Sequence, residues 1–189
     1  MDQYEKIITD TYSGLTMYYR DSNIDEAVIQ KYQIDQLIME PSYIAVSSTA
    51  GGLTRSLRFA VASNKAVDQS QSTPGAARWG AFTIRPNAHF KVLDIYTIDG
   101  QTQVFLLHVP EEHLEAFYGI RTNIEEQIIA KARKSFEEKV DADINMVLEE
   151  DHWKGMTEFP LGVNDQNEFF PIRQLDLAYR DRLLSENGG

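Results

Sequence analysis

The sequence predicts an α+β fold: a single domain over residues 1–189, in which N-terminal and C-terminal helices flank a five-stranded antiparallel β-meander. Three observations lead there. Apolar residues recur at helical spacing before residue 41 and after residue 110. The stretch between them is a series of extended runs broken by turn residues. Asp99-Gly100 joins two of those runs, and Asp-Gly is a strong hairpin signal because both residues tolerate positive φ.

Residues 1–40 read as helical. Tyr4, Ile7, Ile8, Thr11 and Tyr12 share one face. Ser22 or Asn23 is a candidate cap ahead of Asp25 and Glu26, and Ala27, Val28, Tyr32 and Ile34 lead on to Leu37, Ile38 and Met39 before Pro41 ends the segment. The five strands are read at 43–48, 56–63, 79–85, 89–98 and 101–109, in sheet order 1-2-3-4-5. Ala50-Gly51-Gly52 is read as the turn between the first two. Residues 64–77, rich in Ser, Gln, Ala and Gly, read as a long loop or a lid.

A two-residue turn at Asp99-Gly100 sets a register. Ile98 faces Gln101, Tyr96 faces Gln103, Asp94 faces Phe105 and Val92 faces Leu107; on the other face Leu93 meets Leu106 and Lys91 meets His108. Both faces are apolar near the middle, so these strands are expected to be covered on both sides. Asp94 then needs a partner. Beyond Pro110, Thr122-Asn-Ile-Glu125 has the spacing of a capping box, followed by a stripe of Ile124, Ile128, Ala132, Phe136 and Val140. Further helices are expected at 144–153 and 175–184, with 159–172 mostly loop.

The charge is segregated. Asp and Glu number 29 against 18 Lys and Arg, a net charge of −11, yet between 41 and 93 Asp68 is the single acid beside Arg55, Arg58, Lys65, Arg78, Arg85 and Lys91. A basic face on an acidic body would attract anions. The acidic whole argues against general nucleic-acid binding. Cysteine is absent, which excludes disulfides, thiolate metal sites and cysteine nucleophiles. The first ten residues have no apolar run, and no apolar stretch is long enough to span a membrane, so a soluble cytoplasmic protein without membrane attachment is the expectation.

In the early strands one parity is large and apolar, while the other carries Ala45, Ser47, Arg58, Ala60, Ala62, Trp79, Ala81 and Arg85. A face of small residues fenced by arginines and a tryptophan leaves room for a ligand; equally, a helix could pack there while the guanidinium groups reach acidic helices. The candidate ligand-binding residues are Arg58, Arg78, Trp79, Arg85, His89 and Lys91. His108-Val-Pro-Glu-Glu-His113 has metal-ligand residue types but one residue too many for an inverted zinc-protease helix, so it reads as an end-of-strand histidine and a surface helix. The calcium-loop and phosphate-loop patterns fail at Met146 and His152, and at Ala81 and Phe82. No cofactor and no metal is expected.

These residues support a binding or interaction domain that offers the basic sheet face, about residues 41–93, to an anionic small molecule or an acidic partner surface. An alternative is an enzyme acting on a small anionic substrate at the same face, with His89 or Asp94 carrying the proton. Two others are an acidic, immunity-like protein that masks a basic partner, and a homodimer pairing basic sheet with acidic helices. Convergence decides: a ligand or substrate site requires three or more of the cations in one concavity, whereas arginines paired off with helix glutamates exclude it.

Overall fold

The computed structural model describes residues 2–118 and 121–172. The helix expected at 175–184 lies outside them. Helix α1 (Gln3–Tyr12) is followed by β1 (Thr16–Ser22), α2 (Glu26–Ile29), β2 (Leu37–Glu40), β3 (Ile44–Ser47), β4 (Leu57–Ser63), β5 (Val67–Asp68), α3 (Ala76–Trp79), β6 (Ala81–Ile84), β7 (Ala88–Ile98) and β8 (Gln101–Val109). A 3-10 turn at Glu111–His113 leads into α4 (Leu114–Phe117), then α5 (Asn123–Lys139), a second 3-10 turn at Met146–Glu149, and α6 (Asp151–Thr157).

The strands form one eight-stranded mixed sheet in the order β2-β7-β8-β4-β1-β3-β6-β5, which overturns the five-stranded antiparallel meander. Three strands, β1, β2 and β5, stand where helix or loop was expected, and two features set the new order. The first is β1. Of residues 1–40, read as helical, only α1 and α2 are helix; the capping box of α1 uses Asp2 and Glu5, and Gly14 at φ +70° follows its end. Thr-Met-Tyr-Tyr-Arg-Asp-Ser then extends, since aromatic and β-branched side chains fit a pleated surface. This strand inserts between β3 and β4. The second is the Ala50-Gly51-Gly52 segment, which is no hairpin turn. Gly52 N donates to Asp143 O and Leu53 N to Val140 O, both at 3.0 Å. A Cβ at Gly52 would stand 2.2 Å from the Ala142 carbonyl oxygen. The glycines are there because two backbones touch, not because the chain reverses. Strands β3 and β4 both run antiparallel to β1 and so in the same direction, and β4 pairs parallel with β8.

The β7–β8 hairpin keeps the expected register from Ile98↔Gln101 to Asp94↔Phe105. A bulge between Val92 and Asp94 then shifts it, so Val92 meets Leu106, Lys91 meets Leu107 and Phe90 meets His108. The Thr122/Glu125 capping box forms as the spacing requires. Strand β1 meets β3 at Tyr19↔Ser47, where the sheet passes from a five-strand to a three-strand part.

One face is covered by Val28, Ile29 and Tyr32 of the α2 region and by Leu161 and Val163, packed on Phe59, Phe90, Val104 and Leu106. The other is covered by α4 and α5, which bury Ala60, Leu93, Phe105 and Leu107 under Leu114, Phe117, Ile129 and Ala132. A smaller cluster joins Trp79 and Ala81 to Trp153 of α6. Among the described residues no helix is long and apolar enough to cross a membrane.

Candidate functional site

The cations of the 41–93 window do not make a basic face. Arg58 is fully buried; its Nε and Nη2 donate to the two carboxylate oxygens of Asp21 at 2.7 and 2.8 Å, and Nη2 also to the Gly51 carbonyl at 2.8 Å. Arg55 is buried between Glu149 and Glu158, at 3.5 and 3.2 Å. Lys91 is buried against Glu125 at 3.0 Å and Asp35 at 3.5 Å. Arg78 bonds Glu150, whose same oxygen accepts Trp79 Nε1–H at 3.0 Å. Trp79 is core, its ring stacked on His152. Arg85 is exposed beyond the end of β6. Burying a cation is tolerable only with such partners, and the acids come from β1, the α2–β2 loop and the helical C-terminal half. The reading of the chain as a domain that presents a basic sheet face is overturned by these pairings.

The small residues of that face do leave room. A cavity of about 440 Å³ lies between α5, the end of α1 and strands β1 and β4, lined by Tyr12, Leu15, Thr16, Met17, Tyr19, Ala62, Ile124, Ile128, Lys131 and Ser135. No carboxylate is among these lining residues. Ile124, Ile128, Lys131 and Ser135 follow at four, three and four residues, so they share one helix stripe that points at the sheet. Met17 and Tyr19 share one strand face, and Ala62, opposite Met17 on the neighbouring strand β4, is too small to fill the gap below the helix. Tyr19 Oη and Ser135 Oγ are 3.0 Å apart, and Lys139 Nζ donates to Ser135 Oγ at 3.2 Å. Two cations lie near the Tyr19 ring, Lys139 Nζ 5.7 Å and the Arg58 guanidinium carbon 5.8 Å from its centroid. Burial first, then the Glu125 carboxylate, pushes the Tyr12 phenol up, so it remains a neutral donor.

Of the six sequence candidates, His89 alone lines one of the described cavities. This second cavity, about 510 Å³, is bounded by Met39, Asn87, His89, Glu111 and the 170–172 segment. Burial lowers the His89 pKa, which keeps its imidazole neutral at pH 7. Asp94 is not available as a proton carrier: Arg133 grips both its oxygens at 2.7 Å.

No protein-family model and no curated protein matches the chain. Solved structures resemble part of it. The ADP-ribosyltransferase HopU1 of Pseudomonas syringae pv. Tomato aligns over 50% of this chain and 45% of its own, at 14% identity and a TM-score of 0.46. The type III effector XopAI of Xanthomonas axonopodis pv. citri aligns over 53% and 46%, at 12% identity and 0.45. Exoenzyme S of Pseudomonas aeruginosa, solved with human 14-3-3 protein beta and carba-NAD, aligns over 67% and 63%, at 12% identity and 0.45. The chain thus spans about half the length of the first two.

Sequence reasoning missed Lys131, Ser135 and Tyr19. A signal was present: Lys131 and Ser135 follow Ile124 and Ile128 at three- and four-residue spacing, beside the apolar stripe that continues through Ala132 and Phe136. Tyr19 was hidden because its segment read as helix.

Proposed function

We propose that the chain is an enzyme acting on a small, ring-bearing anion, a nucleotide or sugar phosphate in class, held in the cavity between α5 and β1. One observation carries this reading. In a protein of net charge −11 the wall of this cavity offers Lys131 and four hydroxyl-bearing side chains and no acid. Its volume suits a small ligand rather than a single water or a protein segment. Met17, Ala62, Ile124 and Ile128 provide an apolar bed for a ring, and Lys131 at the rim offsets the anionic group. Lys139 donates to Ser135 Oγ, leaving the Ser135 hydroxyl hydrogen and the Tyr19 phenol to share one contact or turn toward substrate. These two groups are placed to donate to an oxygen that gains negative charge as a group is transferred from the substrate.

The test is a thermal-shift and turnover panel of nucleotides, NAD, sugar phosphates and dicarboxylates. A ligand that binds only the folded protein raises the melting temperature. The expected result is a selective shift, consumption of that ligand by the wild type, and in Ser135→Ala a retained shift with turnover reduced at least tenfold. No shift from any compound, or equal turnover in Ser135→Ala, contradicts the reading.

A second placement of the chemistry rests on His89. Its neutral imidazole in the wall of the 510 Å³ cavity is suited to accept a proton. His89→Gln abolishing turnover while Ser135→Ala leaves it intact would move the active site there.

A further inference from the structure

In the pattern His108-Val-Pro-Glu-Glu-His113, set aside above because it is one residue too long for an inverted zinc-protease helix, Glu112 and His113 acquire a third candidate ligand, Asp10 of α1. We propose that Asp10, Glu112 and His113 form a divalent-metal site of the zinc class. One ring nitrogen and two carboxylate oxygens from these residues lie within 4.8 Å of one another. His113 Nε2 and Asp10 Oδ2 are already 2.8 Å apart. Metal bonds of about 2.0–2.2 Å require ligand atoms to stand roughly 3.4 Å apart, so a metal in place of the shared hydrogen opens this pair by well under 1 Å.

The frame around the cluster is fixed. Asn64 Nδ2 donates to the carbonyls of Asp10 and Ser13, both at 2.9 Å, which pins the last turn of α1. His113 N donates to Pro110 O at 2.9 Å, and its side chain is 9% exposed, so the ring presents Nε2 from a packed setting. Beside the ring, a hollow of about 290 Å³ is lined by Glu111, Glu112 and Glu115 as well as His113, which gives the approach a negative potential. Imidazole with two carboxylates favours zinc, cobalt or manganese over magnesium and calcium, and three protein ligands leave a fourth position for water. One group opposes the metal: Lys6 Nζ sits 2.7 Å from the same Asp10 oxygen. Its ammonium holds the place a cation would take, and metal must displace it. The site shares no residue with the anion cavity and does not depend on that reading.

The competition makes the test asymmetric. Zinc and cobalt are titrated calorimetrically into the full, chelator-treated chain and into Lys6→Ala, His113→Ala and Glu112→Gln, each confirmed folded by circular dichroism. The expected result is one zinc per chain, at least tenfold weaker in His113→Ala and severalfold tighter in Lys6→Ala, with a cobalt visible band in the wild type that His113→Ala lacks. Lys6→Ala binding no tighter than the wild type, or His113→Ala binding as well as it, overturns the site. So does a failure of both wild type and Lys6→Ala to bind either metal.

Discussion

Lys91 Nζ lies 3.0 Å from Glu125 Oε1, and neither side chain is exposed to solvent. The same carboxylate accepts the Thr122 backbone N–H at 2.8 Å through its other oxygen. A cation on β7 therefore fixes the first turn of α5, the helix that carries Lys131 and Ser135 over the sheet.

Removing one member of this pair strands the other. Lys91→Met is expected to cost about 3–5 kcal/mol, because Glu125 is then a buried and largely uncompensated charge. The double variant Lys91→Met/Glu125→Gln, which removes both charges, is expected to recover a large part of that loss. Urea unfolding of the two variants decides; a double variant less stable than Lys91→Met would show that the pair is not the source of the cost.

The acid limb of stability has an identifiable contributor. Burial, with Lys65 and His89 adding to it, lowers the His108 pKa to about 4 from its ordinary 6.5. Between those values the unfolded chain binds a proton on this ring and the folded chain does not. Stability is therefore unaffected by His108 above pH 6.5 and falls as pH drops from there toward 4, by on the order of 3 kcal/mol. His89 shifts in the same direction and adds to the trend. Unfolding free energies of wild type and His108→Gln across pH 4–8 check this: the gap between the curves is expected to change below pH 6.5, and parallel curves would contradict it.

The contact between Gly52 and the 140–143 segment is expected to tolerate no side chain. A Cβ there meets a backbone oxygen at 2.2 Å, and a main-chain atom has little freedom to yield. Gly52→Ala is expected to lose about 2 kcal/mol or more, measured by denaturant unfolding, whereas Gly155→Ala, where a Cβ meets nothing within 4 Å, is expected to be neutral or stabilising.

What the sequence could reveal was local. The Asp99-Gly100 hairpin, the Thr122/Glu125 cap and the need of Asp94 for a partner were all legible, because each is decided by residues close in sequence or by one buried charge. The sheet order was not. It depends on β1 entering between β3 and β4, a pairing between segments distant in sequence, and on β1 itself, which lay inside a segment read as helix. The basic window misled for a physical reason: charge along the chain says nothing of pairing across it, and Asp21, Glu125 and Glu150 that neutralise Arg58, Lys91 and Arg78 come from outside the window. The candidate cavity was half legible. Ala60 and Ala62 pointed to the right face, while the cations that serve it come from α5 rather than from the strands.

The central claim is that the cavity between α5 and β1 binds an anion through Lys131. The most direct measurement is a calorimetric titration of the ligand giving the largest thermal shift into wild type and Lys131→Glu, at low and high salt. Lys131 is exposed, so the charge reversal is expected to leave the fold intact. At least a tenfold loss of affinity is expected in Lys131→Glu, with weaker wild-type binding as salt rises. Equal affinity in the two proteins would contradict it and place the ligand elsewhere on the molecule.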